Sequence, residues 1–196
     1  KSFFEMISPF IYRRSLDFSA IEEVKDLKGK IDLDLIQKKK EKGHIKLGQG
    51  GIREIEFLVQ AYQLLFGGRD KSLRDPNTLR TLSQLQARKF ITSEEYERLR
   101  GAYVFLRNLE NRVQISFGLQ TYHLPTEMKP LEVLARKMGV NGATREERVD
   151  GLMAEFKHHT AFVHTMFTQL FAEKEKQQTA ERTLNEWGAE RNWEPR

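Results

Sequence analysis

The 196-residue sequence contains no cysteine and only five prolines. Without cysteine the chain can form neither disulfides nor thiolate metal sites, and a cysteine-free chain fits the reducing cytoplasm, where we expect it. No apolar run approaches the roughly 20 residues of a membrane-spanning helix, so no membrane partner is expected. The opening stretch KSFFEMISPF lacks the apolar segment and the small-residue cleavage site of a signal peptide.

The sequence also has no strong excess of charge of one sign. It contains 33 basic and 28 acidic residues, which gives a net charge of +5. Mixed charge of this kind is typical of a solvated surface. Nucleic-acid binders gather basic residues on one face, with aromatic platforms between them. We therefore expect no nucleic-acid partner. The one dense basic run, residues 38–46, directly precedes a Gly-rich segment.

Strand-like alternation of Val, Ile and Thr is nearly absent, and helical periodicity dominates. The pattern predicts an all-α fold, an antiparallel bundle of about six helices, with at most a two-residue bridge near residues 45–47. Residues 1–176 are predicted to form the bundle, and residues 177–196 a polar tail or linker that could hold a short helix. The predicted helices are residues 19–40, 51–66, 75–89, 92–117, 130–139 and 144–176.

Local signals place several helix boundaries. Asp75 followed by Pro76 has the composition of an N-cap and a first-turn proline. In the first helix, periodicity turns Ile21, Val24, Leu27, Ile31 and Leu35 inward, and Gly29 is expected to bend or break it. Two capping boxes are also predicted, Thr92 with Glu95 and Thr144 with Glu147.

The segment GQGGIRE, residues 48–54, places three glycines directly before a helix. Open backbone N–H groups and the helix dipole at such a start favour a phosphate. The spacing matches neither a dinucleotide-binding motif nor a P-loop, and a tight turn that needs positive φ explains the glycines equally well. Both interpretations stay open. The residues that could face a nucleotide or phosphate are Lys46, Gly48, Gly50, Gly51, Arg53 and Glu56.

The second predicted helix carries one narrow polar stripe, Arg53, Glu56, Gln60 and Gln63, between apolar flanks. A stripe of this kind lines a cleft or meets polar groups of another helix. Glu54 points about 160° away from Glu56 at the helical angle per residue. We therefore prefer Glu56 as the carboxylate that shares the cleft with Arg53.

Glu110 occupies a core position on the long fourth helix, where an unpaired charge costs several kcal/mol. We expect it to be buried against an arginine, either Arg107 or Arg53. Such a pair either sets helix register or orients Arg53 toward a phosphate. The five histidines lack the spacing of a metal-ligand set, and no nucleophile motif is present. No metal site and no catalytic residue are therefore assigned.

The segment KLGQGGIREIEFLVQAYQLLFGGRD, residues 46–70, closely resembles the segment after the nucleotidyltransferase domain in bifunctional glutamine synthetase adenylyltransferase/adenylyl-removing enzymes. Residues 9–31, 73–85 and 102–114 resemble other helices of that domain. The Ile-Arg-Glu-Ile-Glu-Phe form resembles the half of the family enzyme that removes AMP. Related uridylyltransferases carry Leu-Arg-Asp in this turn, so Ile52 and Glu54 favour the adenylyltransferase.

The resemblance implies a helical substrate-binding or regulatory domain that supports transfer or removal of AMP on a glutamine synthetase tyrosine. Its partners would be glutamine synthetase, a PII-type signal protein and the enzyme's own nucleotidyltransferase domain. Mg²⁺ and ATP or ADP would serve the full-length enzyme, with none bound to this chain alone. The family's Gly-Ser…Asp-x-Asp motif is absent, so the chain alone is expected to be inactive. The alternatives are a protein-interaction bundle that docks glutamine synthetase or a PII-type protein, and the equivalent domain of a uridylyltransferase.

Overall fold

A computed structural model describes residues 3–12, 19–37, 43–117 and 121–190. Within these ranges there are seven α-helices, one 3₁₀ turn at Lys71–Leu73 and no β-strand, so the all-α prediction is confirmed. A single isolated bridge pairs His44 with His123 in the same ranges. The helices are α1 (Phe3–Ile11), α2 (Ser19–Gln37), α3 (Ile52–Phe66), α4 (Thr78–Ala87), α5 (Ser93–Phe117), α6 (Met128–Lys137) and α7 (Arg145–Glu190).

The central helix is α3, which packs against α2, α4, α5 and α7. A helix that is apolar on most of its circumference is stable only when neighbours surround it. Accordingly Ile52, Ile55, Leu58 and Ala61 are at most 1% exposed. The position of α3 matters for function because the turn before it, residues 43–51, is thereby held against the rest of the bundle.

The longest helix is α7, which packs against α3, α5 and α6. It buries Leu152, Val163 and Leu170 and continues through Glu190, past the predicted end near residue 176. The division of the chain into a bundle and a tail stays a prediction, and residues 191–196 lie outside the described ranges. Despite its length, neither α7 nor any other described helix has an apolar stretch that could cross a bilayer.

Both predicted capping boxes are confirmed. At the start of α5, the backbone N–H of Thr92 donates to Glu95 Oε2 at 2.7 Å, and the N–H of Glu95 donates to Thr92 Oγ1 at 3.2 Å. At the start of α7, the N–H of Glu147 donates to Thr144 Oγ1 at 3.1 Å. Because these bonds join residues three apart, local sequence suffices to predict them.

The predicted cap of α4 is wrong by two residues. Asn77 is the N-cap, and its side chain accepts from the N–H of Arg80 at 3.0 Å. Asp75 instead accepts from the N–H of Asn77 at 2.8 Å, which turns the chain before the helix begins. Asp and Asn are equally suited to cap a helix and to form the turn before it. Residue type alone therefore could not show whether Asp75 or Asn77 is the N-cap.

The N-terminal helix α1 was not predicted from the sequence pattern. It contains Pro9 and exposes much of its apolar surface. Its anchor comes from distant Arg74, whose Nη1 donates to Ser8 Oγ at 3.0 Å and whose guanidinium lies 4.8 Å from the Tyr12 ring centroid. A helix of 9 residues is only marginally stable by itself in water, so tertiary contacts of this kind are needed to hold it.

The orientation predicted for α2 is wrong in its middle. Gly29 does not interrupt the helix, and Leu27 is 49% exposed whereas Lys28 is only 4% exposed. Leu35 is buried as predicted. The side chains of Ile21 and Val24, like residues 38–42, lie outside the described part of the chain. Apolar periodicity therefore predicted the wrong one of two adjacent residues to be buried. Lys28 faces the bundle instead of Leu27 because its ammonium has partners there, Glu54 and Leu47 O.

We expect His159 to make the folded state sensitive to acid. Its ring lies 4.7 Å from that of Phe105 on α5. Burial, followed by the charge of His158, lowers the pKa of His159, and Glu155 opposes them. The unfolded chain then binds more protons below about pH 6.5, so stability is present at neutral pH and lost as the pH falls.

The His159→Gln variant removes this titration. Urea unfolding at about pH 7 and about pH 5 should show a smaller acid-induced loss of stability in this variant than in the wild type. Equal losses in the two proteins would show that His159 does not contribute to the acid sensitivity.

Candidate functional site

The start of α3 does not present open N–H groups, contrary to the prediction. The turn folds back on itself, so its own carbonyl oxygens occupy the positions that a phosphate would take. The backbone N–H of Ile52 donates to Ile45 O at 3.1 Å, that of Arg53 to Lys46 O at 3.0 Å and that of Glu54 to Gly51 O at 3.0 Å. A phosphate that used these N–H groups would have to displace backbone hydrogen bonds.

The glycines of the turn serve close packing. Gly48, Gly50 and Gly51 are all buried, and Gly48 lines a pocket together with His44 and Gln49. Gly50 has φ +68°, and a Cβ atom there would lie 1.8 Å from the backbone oxygen of Thr160 on α7. A Cβ at Gly51 would lie 2.7 Å from Lys46 O. The alternative that a tight turn requires positive φ is confirmed at Gly50.

A second chain segment, which follows α5, is joined to the turn. The N–H of Ile45 donates to Tyr122 O at 2.8 Å, and the N–H of Leu124 donates to Gly43 O at 2.9 Å. These bonds flank the His44–His123 bridge. They bring Tyr122 beside the half-buried Lys46, whose Nζ lies 5.0 Å from the centroid of the Tyr122 ring.

Arg53 lies in the first turn of α3 with its side chain 34% exposed. Its Nη1 is 3.5 Å from Glu56 Oε2, and its guanidinium lies 5.5 Å from the Phe57 ring centroid. Its Nε is buried and has no hydrogen-bond partner. An unsatisfied buried donor of this kind costs about 1–3 kcal/mol.

The remaining polar residues of the stripe have different surroundings. Gln63 donates to Leu73 O at 2.8 Å and to Asp75 O at 2.7 Å, so it ties α3 to the segment before α4. Gln60 is exposed. The prediction of a cleft wall is therefore kept for the N-terminal part of the stripe alone, around Arg53 and Glu56.

Glu110 is buried and paired with an arginine. It is 6% exposed, and Arg107 Nη1 donates to its Oε2 at 2.8 Å. The pair lies within α5, and Arg53 is occupied elsewhere, with Glu56 and Phe57. The hypothesis that Glu110 orients Arg53 toward a phosphate therefore finds no contact to support it.

A buried ionic cluster joins three helices, and sequence reasoning missed it. Glu54 on α3 is 1% exposed and Lys28 on α2 is 4% exposed, with Lys28 Nζ 3.1 Å from Glu54 Oε1. The same ammonium donates to Asp32 Oδ1 at 2.5 Å and to Leu47 O at 3.2 Å, whereas Glu54 Oε1 lies within ion-pair distance of it but has no hydrogen-bond partner. His164 on α7 places Nδ1 3.1 Å from Glu54 Oε2.

A signal for Glu54 was present in the sequence. On a helix of about 100° per residue, Glu54 shares its face with Leu58, Ala61 and Leu65, which are at most 2% exposed. A carboxylate on that face must be paired. Glu56, the carboxylate preferred from sequence, is instead partly exposed beside Arg53. No comparable signal marked Lys28 or His164.

Comparison with known proteins assigns the chain to a family. A family model described as GlnD PII-uridylyltransferase matches residues 25–171. Bifunctional glutamine synthetase adenylyltransferase/adenylyl-removing enzymes are similar as well. The one from Pseudomonas aeruginosa is 37% identical over 191 residues, which covers 97% of this chain and 18% of that protein. The one from Xanthobacter autotrophicus is 43% identical over 144 residues, covering 71% of this chain and 14% of that protein.

The chain therefore belongs to the GlnD PII-uridylyltransferase family, as an all-α domain of it. Its resemblance to the bifunctional glutamine synthetase adenylyltransferases, predicted from residues 46–70, is confirmed. The chain spans less than a fifth of the length of these relatives. The activity of those complete enzymes is therefore not assigned to this chain by similarity alone.

Proposed function

We propose that this chain is the helical domain of an enzyme that removes or transfers AMP on a tyrosine of glutamine synthetase. In the full-length protein, Lys46, Arg53 and Glu56 would face the nucleotidyltransferase domain across a cleft. The names of the similar enzymes support glutamine synthetase as the substrate. The description of the family model supports a PII-type protein as a further partner. The Ile-Arg-Glu form at residues 52–54 favours AMP removal.

The observation that carries this proposal is the unsatisfied Nε of Arg53. A guanidinium keeps its charge at any physiological pH, and its planar fork suits two phosphate oxygens. Glu56 approaches only one Nη, at 3.5 Å. Because the Nε atom is buried, the guanidinium would have to turn outward for its Nε edge to donate to a phosphate. The neighbouring cation is Lys46, which contacts an aromatic ring rather than a carboxylate in the described part of the chain.

Mg²⁺ and ATP or ADP belong to the proposal only for the full-length enzyme. Among the described residues, no three His, Asp or Glu side chains come together. The contribution proposed for this chain is to bind and orient phosphate through its cations.

We expect Arg53→Ala to reduce AMP removal by the full-length protein roughly tenfold or more. The lost interaction is a charge-assisted hydrogen bond, worth about 1.5–3 kcal/mol. The variant should lose no more than about 1 kcal/mol of stability, because the ion pair with Glu56 is partly exposed and the unsatisfied Nε is removed with the side chain. The measurements are AMP release from adenylylated glutamine synthetase and the thermal midpoint of the 196-residue chain.

The matched control is Arg80→Ala on α4. Arg80 is also an arginine paired with a carboxylate, Asp75 at 3.1 Å, but its side chain is 70% exposed. It should leave AMP release unchanged. If Arg53→Ala lowers the thermal midpoint strongly while the remaining folded enzyme keeps full specific activity, Arg53 is structural and the proposed cleft wall is wrong.

A further inference from the structure

Helix α6 has a cationic outward surface, the α6 face, which consists of Lys129, Val133, Arg136 and Lys137. At the helical angle per residue these four positions fall within an arc of about 100°, and all four are exposed. Ala135, on the opposite side of the helix, is buried against the bundle. Three positive charges and an exposed valine therefore share one surface.

The C-terminal end of α5 extends the α6 face. Arg112 Nε donates to Lys137 O at 2.6 Å, and Lys137 Nζ donates to Ser116 Oγ at 2.8 Å. Both acceptors are uncharged, so these hydrogen bonds hold Arg112 and Lys137 side by side without neutralising either charge. Ile115, the residue before Ser116, is 74% exposed. This corner of the bundle thus combines cations with exposed aliphatic side chains.

The carboxylates near the α6 face do not cancel its charge. Glu132, the one carboxylate within α6, accepts at Oε1 from Arg148 Nε at 3.1 Å and from Arg148 Nη2 at 2.9 Å. Arg136 Nη1 is 3.8 Å from the same oxygen, and its side chain is 69% exposed. One carboxylate therefore meets two guanidiniums. Glu146 and Asp150 lie about 160° from Arg148 around α7, on the side turned away from α6.

Helix stability explains only part of this pattern. Arg136 and Lys137 are in the last turn of α6, where cations interact favourably with the helix dipole. Lys129 is in the first turn, which contains no acidic residue, and a cation at that end opposes the dipole. Val133 and Ile115 add an apolar centre, and an apolar centre with a charged rim is the usual composition of a protein interface. The pattern is therefore unfavourable for α6 alone and favourable for an anionic partner.

We propose that the α6 face, together with Arg112 and Ile115, docks an acidic surface of the protein substrate. The inference rests on the proposed function, in which that substrate is glutamine synthetase. An enzyme that acts on one tyrosine of a folded protein also contacts the surface around it, and opposite charges fix the orientation of the two proteins. Single-stranded nucleic acid fits less well, because it needs aromatic platforms and the exposed apolar residues at this corner are aliphatic.

The test compares two substrates of the full-length protein, intact adenylylated glutamine synthetase and a short peptide that carries an O-adenylylated tyrosine. The α6 variant combines Lys129→Glu with Lys137→Gln, since glutamate suits the first turn of a helix and glutamine can still donate to Ser116. We expect its KM for glutamine synthetase to rise about tenfold, because like charges repel across the interface. Its KM for the peptide should not change. Added salt should raise the wild-type KM for glutamine synthetase and reduce the difference between the two proteins.

The matched control combines Lys30→Glu with Lys157→Gln, which makes the same charge change at exposed lysines of α2 and α7. It should leave both KM values unchanged. An α6 variant with the wild-type KM for glutamine synthetase would overturn the inference, and so would a KM that rises equally for the peptide. An oligonucleotide that binds the wild type but not the α6 variant, with KM for glutamine synthetase unchanged, would reassign the face to nucleic acid.

Arg53→Ala keeps this inference separate from the proposed function, because it should impair AMP release from both substrates. If Arg53→Ala impairs neither while the α6 variant impairs glutamine synthetase alone, the proposed phosphate site fails and the docking surface stands. A full-length protein that releases AMP from neither substrate would contradict both.

Discussion

Lys28→Met is expected to destabilise the folded chain by about 3–5 kcal/mol, which is typical when one member of a buried ion pair is removed. The substitution leaves Glu54, 1% exposed, with His164 as its one remaining ion-pair partner among the described residues. It also removes the ion pair with Asp32 within α2 and the hydrogen bond that connects α2 to the turn at Leu47 O. Urea unfolding, with the free energy extrapolated to water, is the measurement.

Two comparisons make this result specific. Lys30→Met changes an exposed lysine of the same helix and should alter stability by no more than about 0.5 kcal/mol. The double variant Lys28→Met with Glu54→Leu removes both buried charges, so it should be more stable than the sum of the single effects predicts. A Lys28→Met variant as stable as Lys30→Met would show that the cluster does not hold α2 against α3.

Gly50→Ala is expected to cost about 2–5 kcal/mol through two independent effects. A residue with a Cβ loses about 1–2 kcal/mol in the left-handed region, and Gly50 has φ +68°. The new Cβ would also lie 1.8 Å from the backbone oxygen of Thr160, so α7 would have to move away, and overpacking costs about 1–3 kcal/mol. Thermal and urea unfolding both report this loss.

Gly139→Ala provides the matched control for Gly50→Ala. Gly139 follows α6 with φ +79°, but a Cβ there would have no heavy atom within 4 Å. It should therefore lose only the conformational part, about 1–2 kcal/mol. Equal losses at the two glycines would contradict the close contact between the turn and α7, and with it the rigid support of Lys46 and Arg53.

Features that depend on neighbours in sequence were predictable. The capping boxes at Thr92 and Thr144 join residues three apart, and the apolar faces of α3 and α5 recur at helical spacing. The Gly-rich turn and the helix after it were also sufficient to predict the family that the comparisons show. For these features, the information lies within one or two helical turns of the residue concerned.

Other features depended on partners that are distant in sequence. Periodicity turned Leu27 inward, but Lys28 is buried because Glu54 and Leu47 O lie opposite it. Glu54 in turn contacts His164, 110 residues later. Which of two neighbouring side chains becomes buried is set by the acceptors that another helix presents, and a single helix pattern does not contain them.

The sequence by itself determined the all-α class, the helix starts at Thr92 and Thr144, and the family. Only the tertiary structure decided the role of the glycine turn. Three glycines before a helix are compatible with a phosphate cradle or with a close contact, and the backbone of Thr160 on α7 selects the contact at Gly50. The tertiary structure likewise brought Tyr122 to Lys46. The physical reason is the same in both cases: close approach of two chain segments depends on packing, which local propensities do not encode.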